Sequence, residues 1–202
     1  MYWIKTPTFI QKALPQLVWC MPTTNHGVYL TFDDGPVPEV TEFVINELDK
    51  AKAKATFFCV GKNVERHSDI YQELLDNGHS IGNHSYSHLN GWLSSTGEYI
   101  ENISQAAGLI DSNLFRPPYG RITPAQWSGL LPNYKIIMWD VLPGDFDHTI
   151  SPEKCLNNAI THISPGSIVV LHDSVKARKN LYYVLPRLLN HLNEKGYNFQ
   201  TL

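Results

Sequence analysis

The sequence predicts an α/β domain on a parallel sheet, either open and doubly wound or closed into a barrel. Three observations predict it. Short apolar runs alternate with stretches at helical spacing about seven times, and alternation of that kind folds into parallel sheets. No internal repeat, low-complexity tract or linker breaks the pattern, so the 202 residues read as one unit. Aromatics reach 11% while charged residues make up only 17%, a balance that favours a buried core over disorder.

Residues 27–32, Gly-Val-Tyr-Leu-Thr-Phe, read as a buried strand running into the breaker Asp33-Asp34-Gly35-Pro36. Residues 38–51 carry Val40, Phe43, Val44, Ile45 and Leu48 near helical spacing. A second strand covers 55–60, closed by Gly61, and a helix over 68–77 stops near Gly78. A short strand at 79–82 enters Asn83-His84-Ser-Tyr-Ser-His88. A helix around 96–110 and a short strand at 114–115 lead into Arg116-Pro-Pro-Tyr-Gly120, and a further helix covers 123–131. The next strand is 135–140. The helix over 151–163 starts with Ser151 as N-cap and Pro152 in the first helical position. Residues 167–172 form a strongly apolar strand, the helix 180–195 ends at Gly196, and 197–202 is a last strand.

Composition narrows the function. A formal charge of −3 exerts no long-range pull on nucleic acid or anionic membrane. The three cysteines, Cys20, Cys59 and Cys155, are far apart and form no C-x-x-C pair, so free thiols are expected. Residues 1–26 are read as an N-terminal extension, a short helix packing its apolar face on the domain formed by 27–202. Lys5, Gln11, Lys12, Pro15 and Gln16 interrupt that stretch, which therefore lacks a secretory apolar core. No 18-residue apolar span occurs either. The default expectation is a cytoplasmic monomer without a membrane span, with an extracytoplasmic address left open.

Four polar clusters fall just after apolar strands: Asp33-Asp34, His84 to His88, Arg116 to Tyr119, and His172-Asp173. That edge of a parallel α/β sheet is where active sites assemble. Each cluster also has a bland reading: a turn, a pair of surface histidines, a rigid proline loop, a core histidine. Their joint arrival at strand ends is harder to explain as coincidence. His84 and His88, four apart, would share one face of a helical turn and could share a metal. One carboxylate and two imidazoles leave a coordination position open for water, and a second carboxylate can take that water's proton. An arginine nearby would hold the base ionised, and a separate histidine could protonate a leaving group. These parts suit metal-assisted hydrolysis of an amide or ester.

With those residues in view, the chain resembles the polysaccharide deacetylases of the NodB-homology type (carbohydrate esterase family 4). Thr31-Phe-Asp-Asp-Gly-Pro36, His84-Ser-Tyr-Ser-His88, Arg116-Pro-Pro-Tyr-Gly120 and Leu171-His172 look like four of that family's motifs, in its order. The resemblance implies a distorted, incompletely closed (β/α) barrel of about seven parallel strands. It implies Asp34, His84 and His88 as ligands of Zn²⁺, with Co²⁺ or another divalent metal as substitute. Asp33 would be the base, Arg116 its orienting partner and His172 the acid. The Tyr119 N–H would hold the oxyanion. Pro117, Pro118, Tyr119, Trp139, Phe146 and Leu171 would contact substrate, Leu171 lining the acetyl pocket.

The remaining motif departs from the family pattern. In Trp139-Asp140-Val-Leu-Pro-Gly-Asp145-Phe146, Phe146 stands where the family often has Trp. Asp145 is assigned as the acid that pairs with Arg116 or tunes His172, with Asp140 as the competing assignment. Asp173 is divided between a catalytic role and a helix N-cap. The implied activity is removal of N-acetyl groups from N-acetylglucosamine-containing glycans or oligosaccharides, of chitin-oligomer or peptidoglycan type. The alternatives are an O-acetyl esterase on acetylated xylan and an inactive carbohydrate-binding homologue.

Overall fold

Two-residue alternation along one central strand decides what faces the core and what faces the site. The computed structural model describes residues 2–22 and 24–202. In chain order its elements are α1 (Thr8–Ala13), β1 (Gly27–Asp33), α2 (Val40–Lys50), β2 (Thr56–Cys59), α3 (Gly61–Arg66), α4 (Ser68–Asp76) and β3 (Ser80–Asn83). There follow α5 (Thr96–Ala107), β4 (Leu114–Phe115), α6 (Pro124–Leu130), β5 (Lys135–Ile136), α7 (Pro152–His162), β6 (Ile168–His172), α8 (Arg178–Glu194) and β7 (Asn198–Phe199).

Val28, Leu30 and Phe32 of β1 join the core shared with α2 and α8, alongside Val44, Leu48, Leu181, Leu185 and Leu188. Tyr29 belongs to a separate cluster with Phe58, Leu114, Ile137 and Ile168. Thr31 and Asp33 follow Tyr29 at two-residue steps, so the strand that builds the core also delivers Asp33 to the opposite face.

The strand order is β5-β4-β3-β2-β1-β6, with β7 pairing the start of β1, and every pairing is parallel. No ladder joins β5 to β6, so the barrel is distorted and incompletely closed. Among the described residues single bridges span that side: Val141 with Val169, and the segment at 18–20 through Val18 with Ile137 and Cys20 with Ser167. Residues 2–6 lie along it. Leu142 donates to the Ile4 carbonyl (2.8 Å), Thr6 N–H to Asp140 (2.8 Å) and Thr6 Oγ1 to Trp139 (2.9 Å). Among the described residues no helix is long and apolar enough to cross a membrane, and all three cysteines are free.

Several expectations need correction. The strand expected over 135–140 pairs as a ladder only at Lys135–Ile136, because beyond it the chain leaves β4 and crosses towards β6. The helix α3 has no counterpart in the sequence pattern, since its six residues bury only Gly61 and Val64 and show no periodic face. In the N-terminal stretch α1 buries none of its residues. Flanking positions make the contact instead: Thr6 and Leu17 are buried, and Lys5 pairs with Asp140. The caps follow the sequence: Ser151 Oγ accepts from Lys154 N–H (3.2 Å), and Gly196 leaves α8 with φ +72.

Candidate active site

Asp33 ends β1 and is 3% exposed. Its Oδ1 accepts from Arg116 Nη1 at 2.7 Å. Arg116 is fully buried, which an unpaired guanidinium would not tolerate. Its donors are spent on Asp33, Thr31 Oγ1 (2.7 Å), the Ile137 carbonyl (3.3 Å) and the Met138 carbonyl (3.1 Å). The Phe58 ring lies 4.1 Å from its guanidinium carbon. Arg116 is therefore a fixed positive post beside Asp33.

Asp34 reaches the cleft through a left-handed backbone (φ +84), as do His88 (φ +57) and Tyr119 (φ +60), and Ser85 between the histidines sits at φ +63. Non-glycine residues in that region cost about 1–3 kcal/mol each and persist where the surroundings impose them. The helical turn expected for His84–His88 is absent. A loop pinned by Asn83 Oδ1 to Ser85 N–H (2.8 Å) and by Asn102 Oδ1 to Tyr86 and Ser87 N–H brings the two rings together. Their centroids lie 5.0 Å apart.

His84 Nδ1 is 2.8 Å from the Arg116 carbonyl, an acceptor only, so Nδ1 carries the proton and Nε2 keeps its lone pair. Burial pushes His84 down to about 4, which leaves the ring neutral. Its Nε2 is 3.8 Å from Asp34 Oδ1, and His88 Nε2 is 3.1 Å from the same oxygen. Burial works to raise the Asp34 carboxyl, but the His88 hydrogen bond and the surrounding imidazoles outweigh it and hold it below the usual range.

The donor atoms of Asp34, His84 and His88 lie within 4.8 Å of one another, and no other group among the described residues converges so closely. Ligands on a tetrahedral zinc stand about 3.3 Å apart, so the donor set fits a divalent metal in spacing and chemistry.

His172 ends β6 and is the register partner of Asp33. Its Nδ1 is 2.8 Å from Asp145 Oδ1, and its backbone N–H donates to Asp145 Oδ2 at 2.6 Å. Burial opposes charge on the ring, but the Asp145 carboxylate, its hydrogen bond and the charges of Asp34 and Asp33 outweigh it and push His172 up to about 9. The imidazole is protonated at neutral pH, and Nε2 is the nitrogen left free.

Asp145 therefore serves His172, and Arg116 serves Asp33. Asp140 lies outside the cleft, where its Oδ2 binds Lys5 Nζ (2.5 Å) and Ser167 Oγ (3.0 Å). Asp173 is not the N-cap of α8, a position that Ala177 holds. It is buried, accepting from Gly35 N–H (3.1 Å) and Thr41 Oγ1 (2.6 Å), and burial pushes it up to about 8. It ties the turn after β1 to β6.

Asp33, Asp34, His84, His88, Pro117, Tyr119, Trp139, Phe146 and His172 line one cleft of about 520 Å³. A smaller hollow of about 230 Å³, lined by His26, His191 and Tyr197, contains none of them. Two expected contacts are absent. Pro118 is buried beneath the loop, and Leu171 points into the core with Leu181 and Val184. The reason for Leu171 is alternation: residues adjacent in a strand face opposite ways, so Val170, two before His172, lines the cleft instead. That signal was available in the sequence, as was Thr31, two before Asp33. Nothing in the sequence pointed to Tyr2, which meets the cleft at Phe146 and Asp147, the latter 145 residues away. Its hydroxyl donates to Asp147 Oδ2 (2.9 Å), and its ring lies 5.1 Å from that of Phe146.

Comparison with known proteins gives a consistent result. A family model described as polysaccharide deacetylase matches residues 21–130. The chain is 31% identical over 194 residues to a peptidoglycan-N-acetylglucosamine deacetylase of Bacillus cereus, covering 92% of this chain and 91% of that protein. It is 34% identical over 163 residues to a chitooligosaccharide deacetylase of Azorhizobium caulinodans, covering 73% of each. The crystal structure of the Bc1960 peptidoglycan N-acetylglucosamine deacetylase matches with a TM-score of 0.89 at 30% identity, over 98% of this chain and 95% of that one.

Proposed function

The chain belongs to the polysaccharide deacetylase family, and from that premise we propose that it hydrolyses N-acetyl groups on an N-acetylglucosamine-containing glycan. One observation carries the mechanism. Asp33 and His172 are register partners on neighbouring strands, about 4.8 Å apart as parallel strands are, and both open into the cleft that holds the Asp34–His84–His88 donors.

Asp34, His84 and His88 would hold the divalent cation, which we take to be Zn²⁺. When bound, it supplies Lewis acidity towards the acetyl carbonyl and water. The remaining chemistry belongs to the chain. Asp33 takes the attacking water's proton at Oδ2, since Oδ1 is occupied by Arg116. Arg116 fixes the position and plane of that carboxylate through its Nη1 hydrogen bond. The left-handed backbone at Tyr119 offers its N–H to the carbonyl oxygen as charge builds there. His172, protonated and held through Nδ1 by Asp145, delivers the Nε2 proton to the amine as the C–N bond breaks. Acetate and a free amino sugar leave. Phe146 packs edge-on against the His172 ring at 5.1 Å and Tyr119 against His88 at 4.6 Å, so an aromatic wall stands on either side.

The test is acetate release from chitin oligomers, peptidoglycan glycan and acetylated xylan, after chelation and again after separate addition of Zn²⁺ and Co²⁺. Release from the N-acetylated substrates that disappears on chelation and returns with Zn²⁺ is expected. Release from xylan alone would make the protein an O-acetyl esterase, and none from any substrate an inactive binding homologue.

A further inference from the structure

The two loops that carry the metal donors meet at one short turn, residues 60–63, where β2 gives way to α3. A helix leaves its first N–H groups without partners inside the helix. At this end of α3 those groups go to the donor loops. Val60 N–H donates to the Gly35 carbonyl (2.9 Å), Gly61 N–H to Ser85 (3.0 Å) and Lys62 N–H to Tyr86 (2.9 Å). The Asn63 side chain adds a further bond, from Nδ2 to the Asp34 carbonyl at 2.7 Å. One turn thus holds the Asp34 loop through Val60 and Asn63, and the His84–His88 loop through Gly61 and Lys62.

The peptide group between Asp34 and Gly35 is fixed at both ends. Asn63 holds its carbonyl, and Asp173 Oδ1 accepts from its N–H at 3.1 Å. The preceding carbonyl, that of Asp33, accepts from Asp173 N–H at 3.1 Å. These two peptide planes flank the Asp34 Cα and impose its φ of +84, the left-handed backbone from which the carboxylate reaches both imidazoles. Space at the turn is equally restricted. A Cβ on Gly61 would stand 2.7 Å from the Tyr86 ring and 3.1 Å from the Tyr86 Cα, so only glycine lets the histidine loop come this close. On the other loop, a Cβ on Gly35 would overlap the Asp173 carboxylate. Among the described residues the cleft lining does not include Asn63, so its side chain acts on the site through the Asp34 backbone.

We infer that Asn63 and Gly61 are positioning residues for the metal donors. The turn at 60–63 sets how the Asp34 carboxylate stands against the two imidazoles, and thereby how tightly the three groups hold a cation. The inference rests on the reading of Asp34, His84 and His88 as the metal ligands.

The test uses the full chain, stripped by chelation and reloaded with Co²⁺ or Zn²⁺. Competition with a chromophoric chelator gives Zn²⁺ affinity, the Co²⁺ absorption spectrum reports ligand geometry, and thermal unfolding of the metal-free protein reports folding. Asn63→Ala should weaken Zn²⁺ binding about tenfold, the lower end of what a partner bonded behind the ligands contributes. Its Co²⁺ bands should shift or lose intensity. Excess Zn²⁺ should restore kcat with KM unchanged, because the Asn63 side chain meets neither substrate nor the reacting atoms. Gly61→Ala should show the same signature with a larger loss, since the added methyl displaces the loop that carries both histidines. If affinity and spectrum are both unchanged in Asn63→Ala, whatever its Tm, the inference is overturned, and this variant decides where Gly61→Ala does not fold. If the unsubstituted protein takes up neither Co²⁺ nor Zn²⁺, the metal reading fails and takes the inference with it. Metal uptake that weakens in both variants, without acetate release from any glycan, leaves the positioning turn standing and defeats the deacetylase reading.

Discussion

The two banks of the cleft are built differently. The bank that holds Asp33, Asp34, His84 and Arg116 grows from β1, β3 and β4, and its central post, Arg116, is fully buried. The bank that holds His172 takes only that residue and Val170 from a strand. Asp145, Phe146 and Asp147 lie on an irregular segment hung from side chains. Asn158 Nδ2 donates to the Pro143 carbonyl (3.0 Å), Asn180 Nδ2 to the Asp145 (3.0 Å) and Asp147 (3.2 Å) carbonyls, and Tyr2 to the Asp147 carboxylate. The strand-built bank can lose a part only by losing its function, whereas the suspended bank can be adjusted by degrees.

The largest effect is expected where the strand-built bank is broken. Asp33→Asn keeps an oxygen for Arg116 Nη1, so the buried guanidinium is not stranded at a cost of about 3–5 kcal/mol. Only proton acceptance is lost, and kcat should fall about 10²–10⁴-fold with the bound metal retained. Metal content by mass spectrometry and kcat on one substrate check both halves. Near-normal turnover with metal in place would transfer the base role to another residue.

The same contrast explains what could be read without coordinates. Asp33, Asp34, His84, His88 and Arg116 were legible because each sits in a short motif that ends a strand, and local sequence dictates where strands end. His84 and His88 come together through a loop pinned by Asn83 and Asn102, not through the helical turn that their spacing predicts. On the suspended bank local pattern offered less. Asp140 and Asp145 are equivalent in sequence, and only the crossing of the chain towards β6 sends one to Lys5 and the other to His172. Strand alternation turns Leu171 to the core and Val170 to the cleft, and Tyr2 is placed by tertiary contacts alone.

A smaller effect of a different kind is expected from Asp145→Asn. His172 stands at about 9, against an ordinary 6.5, chiefly because the Asp145 carboxylate overcomes the burial of the ring. An acid is active while protonated, so kcat/KM should hold on the alkaline side until the pH passes about 9. Removing the carboxylate leaves burial unopposed by its main partner, and the alkaline limb should move down towards 6.5 or below. The acid limb should stay in place. A full pH profile of both enzymes distinguishes this from a uniform loss of rate, and an unmoved alkaline limb would break the assignment of His172 as the acid.

The smallest effect is expected at Tyr2, where the suspended bank meets the N-terminal segment. The Tyr2 ring packs against Phe146, 5.1 Å between centroids, and Phe146 in turn packs against His172. An aromatic pair contributes about 0.5–1.5 kcal/mol beyond its buried area, so Tyr2→Ala should raise KM about two- to tenfold. Because both hydrogen bonds from His172 to Asp145 remain, the alkaline limb should not move. Tyr2→Phe keeps the ring and removes only the bond to the half-buried Asp147 carboxylate, so it should recover most of the lost KM. Recovery by Phe assigns Tyr2 to the substrate wall. A shift of the alkaline limb in Tyr2→Ala would show that the N-terminal segment also positions the acid, and that the two banks differ less in rigidity than their construction implies.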